Sequence, residues 1–336
     1  MRVSELGEFG LIDILAKMAY AARDENTRAW PKLLLGIGDD AAAWYGDTTI
    51  QLATVDCLIE DVHFTLGITS WEELGWKALA VNLSDIAAMG GLPRYALVSL
   101  GLPNNTEVED VTALYQGIFK LAPQVEVAII GGNIHRAPLV VIDITVLGST
   151  KTKKQHLLTR SAAKIGDKIA VTGYLGMAAA GLEMLTKNLR LDLEATATLK
   201  RAFLQPCPRV VEGQILVKCG VRAAIDISDG LVSDLNHICQ ASQVGARIQI
   251  DCLPVQPAVK ANFGNRAQGF ALFGGEDYEL LFTASADIID RVKAATSCLI
   301  TVIGAITADK DGEITLVDRK GNLVNRPGAG WEHFKR

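Results

Sequence analysis

What the chain lacks narrows its function first. It has no Gly-x-x-x-x-Gly-Lys-Ser/Thr segment, so no P-loop cradles a triphosphate, and it lacks the His-Arg-Asp and Asp-Phe-Gly signatures of protein kinases. No uncharged apolar run approaches the roughly 18 residues needed to cross a bilayer. Positive charge is not in surplus. The 33 Lys and Arg stand against 38 Asp and Glu, a net charge of −5 with His neutral, which argues against nucleic-acid or anionic-membrane binding. None of the six cysteines (57, 207, 219, 239, 252 and 298) forms a Cys-x-x-Cys pair, and the chain far exceeds disulfide-scaffold size. Reduced, buried thiols are expected. The opening Met1-Arg2-Val3-Ser4-Glu5 has no apolar signal core, so a cytoplasmic protein is expected.

What is present reads as globular. Hydrophobic residues make up 49% and charged residues 21% of 336, a length that suits two domains. Strand and helix signals alternate, giving an α/β class. Ile50 to Val55 reads as a strand. Ser70 and Glu73 have capping-box spacing, and a helix follows to Met89, stopped by Gly90-Gly91-Leu92-Pro93. Tyr95 to Leu102 reads as a strand, and Thr106 with Glu109 opens a second helix. Val125 to Ile130 and Leu139 to Leu147 are strands flanking Gly131-Gly132-Asn133, read as a tight connection. The polar stretch Ser149 to Gln155 is the boundary candidate, dividing the chain into 1–150 and 151–336. Beyond it, Lys168 to Thr172 and Ala223 to Ile227 read as strands, with helices from about Met177 and after Pro206 and Pro208. Ser228-Asp229 reads as an N-cap, Ala271 to Phe282 as strand-like, and Asp309 to Leu323 as a hairpin.

The chemistry lies in acids set next to glycine or at the ends of apolar segments: Asp39, Asp40, Asp56, Glu60, Asp61, Asp85, Asp226, Asp229, Glu276 and Asp277. A half-buried carboxylate needs a cation. Lys77, Arg94, Arg136 and Arg160 are the nearest basic residues in sequence and are too few. Hard oxygen ligands without a Cys/His cluster favour magnesium over zinc. Magnesium held by a few carboxylates keeps positions for phosphate oxygens, which points to phosphoryl transfer.

Five segments carry a resemblance. They are Gly36-Ile37-Gly38-Asp39-Asp40, Thr54-Val55-Asp56 with Val62-His63-Phe64, Asn82-Leu83-Ser84-Asp85 within Lys77 to Gly90, Asp226-Ile227-Ser228-Asp229-Gly230, and Gly274-Gly275-Glu276-Asp277-Tyr278-Glu279. With Gly7-Glu8-Phe9 and Gly330-Trp331-Glu332-His333-Phe334 they run in order over nearly the whole chain, and together they resemble the thiamine-monophosphate kinases. The resemblance implies the two-domain α/β fold of the aminoimidazole-ribotide-synthetase superfamily (α+β and sandwich-like), with an ATP- and magnesium-binding N-terminal domain whose sheet forms a homodimer interface and a substrate-side C-terminal domain. It implies ATP as co-substrate, several magnesium ions and thiamine monophosphate as acceptor. By motif position, Asp40, Thr54, Val55 (through its carbonyl), Asp56, Asp85, Asn133, Asp226 and Asp229 would handle metal, with Asp85 and Asp229 catalytic. Gly132, Asn133, Arg160 and Ser228 would meet ATP, and His63, Glu276 and Trp331 the thiamine phosphate. The family pattern usually has Gly-Gly-Asp where this chain has Gly131-Gly132-Asn133, whose amide oxygen can ligate magnesium but brings no charge.

Blander readings stand beside these. Asp85 could pair with Lys77, eight residues back. Ser228 and Asp229 could only cap a helix, His63 could be a core histidine, and His135, His156 and His237 read as structural. Gly173-x-x-Gly176 reads as close strand–helix packing. Another ATP user of the superfamily, or a non-catalytic paralogue, is the alternative. Selenophosphate synthetases usually show a reactive Cys near the N-terminus, and no Cys precedes Cys57.

Overall fold

The computed structural model describes residues 32–309, 312–324 and 330, with 10, 12, 14 and 16–18 before them. Two six-stranded sheets organise it. The first contains β1 (Leu33–Leu35), β2 (Ala42–Tyr45), β3 (Ile50–Ile59), β4 (Leu92–Leu102), β5 (Ala128–Arg136) and β6 (Val141–Ser149) in the order β1-β2-β3-β6-β4-β5. Helices α1 (Trp71–Ala88) and α2 (Val108–Leu121) cover one face. The strands alternate as a half-buried sheet should. Leu52, Leu58, Val98, Leu100, Ile142, Ile144 and Val146 turn inward onto Leu74, Leu79, Leu83 and Ile86 of α1 and Leu114 and Ile118 of α2. Val55, Tyr95 and Leu97 lie on the opposite face and are exposed, as are Ile130 and Ile134 on the edge strand β5.

Helix α1 begins where the sequence predicts. The Ser70 hydroxyl accepts from Glu73 N, and the Glu73 carboxylate accepts from Ser70 N. It packs unusually tightly on α2. A Cβ on Gly75 would lie 1.8 Å from Leu114 O, and one on Gly117 would lie 1.9 Å from Glu72 O. Only glycine allows the two backbones to touch.

The second sheet runs β12-β9-β11-β7-β10-β8, from β7 (Lys168–Thr172), β8 (Ala223–Asp226), β9 (Gly245–Gln249), β10 (Leu280–Ala284), β11 (Ile300–Thr307) and β12 (Ile314–Val317). Helices flank it on both sides: α3 (Met177–Thr186), α4 (Leu193–Leu204), α5 (Val210–Cys219), α6 (Leu231–Ser242), α7 (Pro257–Phe263), α8 (Ala267–Phe273) and α9 (Ala286–Ala295). Leu281 faces the α6 side, whereas Leu280 and Phe282 face the α5 and α9 side. Helix α1 also joins the second half. A Cβ on Gly213 of α5 would come within 2.3 Å of Ala87 O, and Gln214 donates to the carbonyls of Gly90 and Gly91.

Several local expectations are corrected. Gly131, Gly132 and Asn133 form no tight connection but lie inside β5, which pairs in parallel with β4. A Cβ on Gly132 would sit 1.8 Å from Val98 O, so the glycine serves close strand approach rather than a turn. Helix α2 starts after Glu107, with no side-chain cap from Thr106. Gly230, not Ser228 or Asp229, occupies the N-cap of α6. Ala271 to Phe282 divides into the end of α8, an irregular loop and β10. The predicted C-terminal hairpin is found only in short form: β12, parallel to β9, turns back so that Asp318 N donates to Asn322 O and Val324 N to Leu316 O, with an antiparallel bridge from Val317 to Leu323. Cysteine burial is mixed: Cys219 and Cys239 are buried, but Cys207 is exposed. Among the described residues no helix is long and apolar enough to cross a membrane.

Candidate active site

The Asn-Leu-Ser-Asp segment lies near the end of α1, and each polar member reaches a different element. Asn82, fully buried, accepts from Asp56 N on β3 at 2.9 Å and donates to Ala78 O. Ser84 Oγ donates to Asp226 Oδ2 at the end of β8 at 2.7 Å. Asp85 Oδ2 accepts from Thr54 Oγ1 of β3 at 2.5 Å. Leu83 points into the core. One turn of helix thus ties the first sheet to the second, and the sequence keeps three small polar groups there because each has a hydrogen-bond partner to satisfy.

The carboxylates of Asp40, Asp85 and Asp226 converge, each offering an oxygen within 4.8 Å of the others. Like charges this close resist ionising together. Burial pushes Asp85 well above the usual carboxylate range, and the charges of Asp56, Asp226 and Asp40 add to it. Burial, then Asp40, pushes Asp226 up to about 8. Burial also raises Asp40, although Arg160 pulls the other way. Asp39 is pushed up to about 7 by burial and by Asp40. Its carboxylate accepts from Asp40 N at 3.1 Å and Arg160 N at 3.4 Å, so it also shapes the loop.

A divalent cation fits this centre. Three hard oxygen donors from separate elements meet, and Asp40 Oδ2 is buried with no hydrogen-bond partner. Without a cation such a group is costly. The shortage of nearby basic groups read from sequence is corrected at two points. Arg160 Nη2 lies 2.5 Å from Asp40 Oδ1, and Lys77 Nζ lies 2.6 Å from Glu276 Oε1. Lys77 therefore pairs with Glu276 rather than with Asp85. Each cation meets an acid remote in sequence, which local spacing does not reveal.

The loop 274–279 packs against the 226–230 turn. Glu276 N donates to Ser228 O, Tyr278 N to Ile227 O, and Ile227 N to Glu279 O. Its acids divide the work. Glu276 meets Lys77. Asp277 accepts from Gly176 N at 2.6 Å and Ala178 N at 3.1 Å, holding the N-terminus of α3. Glu279 takes a bidentate pair from Arg209 and a hydrogen bond from Thr172 Oγ1. Glu276 and Tyr278 are held at φ 67° and 49°, so the loop is strained. The Gly173-x-x-Gly176 segment serves packing, since a Cβ on Gly173 would overlap the Glu279 carboxylate.

The other expected residues are spread more widely. Asp229 groups with Asp234 and His237 rather than with the first three acids. Val55 turns outward. His63 Nδ1 accepts from Ile59 N at 3.0 Å. Gly132 and Asn133 lie on the exposed strand β5. In register, Asn133 faces Ser99, Ser99 faces Asp143, and Asp143 faces Cys57. That row crosses three strand spacings, about 14 Å in all. Trp331 lies outside the described residues, but Gly330 packs against Asp229 O and Ser233.

Sequence reasoning passed over four participants. Asn82 and Ser84 lay inside the quoted motif without roles. Asp234, almost wholly buried, accepts from Asp229 N and Gly230 N. It follows Gly230 by one helical turn, a spacing that could have flagged it. Tyr278 is buried, with its phenol raised well above its usual range by burial and then by Glu276, Asp56, Asp226 and Asp85.

The family model "AIR synthase related protein, N-terminal domain" matches residues 38–150, and "AIR synthase related protein, C-terminal domain" matches 164–317. The thiamine-monophosphate kinase of Bacillus subtilis is 37% identical over 90% of this chain and 94% of its own length. That of Escherichia coli K12 is 37% identical over 98% of both. A solved structure described as AaThiL complexed with AMPPCP and TMP superposes with a TM-score of 0.85 at 34% identity, over 99% of both chains. The chain belongs to the AIR synthase related proteins and, among them, to the thiamine-monophosphate kinase family.

Proposed function

We propose that this protein transfers the γ-phosphate of ATP to thiamine monophosphate, giving thiamine diphosphate and ADP. One observation carries the reading: the carboxylates of Asp40, Asp85 and Asp226 meet at a centre built from both halves of the chain. Related kinases at 35–39% identity support it, as does the related structure bound to AMPPCP and TMP.

In the proposed reaction an oxygen of the acceptor's own phosphate attacks the γ-phosphorus in line. That oxygen is ionised near neutral pH, so no general base is needed. The obstacle is repulsion between two polyanions, about 4 kcal/mol per charge pair at 4 Å and an effective dielectric of 20. Magnesium held by Asp40, Thr54, Asp56, Asp85, Asp226, Asp229 and the carbonyl of Val55 would supply the charge that offsets it. The chain's own residues orient these groups. Thr54 holds Asp85 and Ser84 holds Asp226 by hydrogen bonds to single carboxylate oxygens, and Asn82 fixes the backbone at Asp56.

We assign Gly132, Asn133, Arg160 and Ser228 to the nucleotide, and His63, Glu276 and Trp331 to the acceptor. Residues 1–150 would form the ATP, magnesium and dimerisation domain, and 151–336 the substrate-side domain. A cytoplasmic homodimer is part of the proposal. The unpartnered apolar face of the first sheet, with Val55, Tyr95 and Leu97 exposed, supports that assembly.

Incubation with ATP, magnesium and thiamine monophosphate should yield thiamine diphosphate in proportion to enzyme. ATP hydrolysis without that product, or no consumption of either substrate, would overturn the reading.

A further inference from the structure

Lys77 belongs to α1, in the first half of the chain, yet both groups its ammonium meets come from the second half. Nζ lies 2.6 Å from Glu276 Oε1 and 3.9 Å from the centre of the Phe203 ring on α4. The lysine side chain is 2% exposed, whereas Glu276 is 27% exposed. One oxygen of that carboxylate is therefore clamped in a dry contact while the residue stays partly open to solvent. Glu276 also sits at positive φ, its N–H bound to Ser228 O. Both its backbone and its side chain are held.

A buried ammonium in an otherwise apolar stretch of helix is a costly way to join two domains. An apolar residue stacked on Phe203 would fill the same space without the desolvation. The charge is explained if the carboxylate it fixes has a task. We propose that Lys77 is a positioning residue for the acceptor: it pre-orders Glu276 at the cleft, so that the carboxylate meets a ring cation without first losing side-chain freedom. This rests on the reading that thiamine monophosphate is the acceptor and that Glu276 faces its cationic ring. Lys77 then acts on acceptor affinity through Glu276 and leaves the nucleotide untouched.

The test combines Lys77→Met, Glu276→Gln and the double variant, with calorimetric binding of thiamine monophosphate and of an ATP analogue, and with turnover. Lys77→Met keeps the volume over Phe203 and removes the charge. It should weaken acceptor binding about tenfold, the worth of one side chain that must be ordered on binding. ATP-analogue binding should stay within about twofold, outside the reach of that single ordering effect. In the double variant, acceptor binding should be no weaker than in Glu276→Gln alone, since Lys77 has then lost the group it acts through. Acceptor binding by Lys77→Met equal to wild type, or a loss additive with Glu276→Gln, overturns the proposal, leaving a structural bridge that lowers only the melting temperature. If Lys77→Met does not fold, Lys77→Gln is read in the same way, with a smaller loss expected. Failure of both to fold also overturns it. Wild-type turnover is scored separately: acceptor binding without turnover refutes the kinase reading while the Lys77 comparison still decides this one.

Discussion

Ser84 Oγ donates to Asp226 Oδ2 across 2.7 Å, joining a helix of the first half of the chain to a strand end of the second at the acidic centre. Neither half holds the whole centre. Asp40 and Asp85 come from one and Asp226 from the other, so chemistry there depends on the two packing as found.

Asp85→Asn tests the centre directly. Its carboxylate is pushed well above its normal range by burial and by three neighbouring acids, so neutralising it should leave the metal-free fold intact or slightly stabler. Turnover should fall at least about a hundredfold. Steady-state rates at saturating magnesium, alongside thermal melts, check both parts; near-normal turnover would refute the role.

Magnesium binding should release protons. Asp226, raised to about 8, is largely protonated at pH 7 without a cation, and a carboxylate must lose its proton to ligate. Affinity should therefore rise with pH and level off above 8. Calorimetry in buffers of different ionisation enthalpy reads the protons released; a pH-independent affinity between 6 and 8 would contradict this assignment.

Asp277 gives a pH effect on stability away from those acids. Burial raises its folded value from 3.8 to about 7, against the pull of the backbone N–H groups it accepts. A raised carboxylate favours the folded state most below its unfolded value, and that advantage is lost as pH climbs towards the folded one. Wild type should lose stability relative to Asp277→Asn between pH 4 and 7, by up to about 4 kcal/mol. Urea unfolding at several pH values measures the difference, and parallel curves would sink the claim.

Glu279→Gln should be strongly destabilising. Arg209 makes its bidentate pair with this almost buried carboxylate. Stranding the guanidinium should cost about 3–5 kcal/mol. Equilibrium denaturation gives the value, and a loss below about 1 kcal/mol would show the guanidinium reaching water instead.

The outer face of the first sheet should lose self-association when charged. Leu97→Lys with Val55→Lys places two ammonium groups on that exposed apolar surface. Sedimentation should show a dimer for the native chain and a monomer for the variant. A native monomer would remove the dimer from the proposal.

Much of this was legible in sequence because its signals are local. Ser70 and Glu73 announce α1 through reciprocal hydrogen bonds within one turn. Lys168 to Thr172 reads as a strand because every residue after the lysine is apolar or β-branched, and all four are buried. The misreadings have a common cause. Two adjacent glycines signal a turn by themselves, and only the neighbouring strand at Val98 reveals why Gly132 must be one. Likewise the partners of Asp40, Glu276 and Glu279 lie 120, 199 and 70 residues away in sequence, so no window of residues could disclose them.

The contact of Gly213 with Ala87 O bears on how the enzyme can move. Backbone against backbone leaves no side chain to slide or re-rotamerise, so the junction of α1 with α5 is a weld rather than a hinge. Substrate entry and product escape then fall to the Gly-rich segments that carry Asp40 and Glu276, at 36–40 and 274–276. Rate limits imposed by opening should respond to substitutions there and be indifferent to linker changes at 151–155.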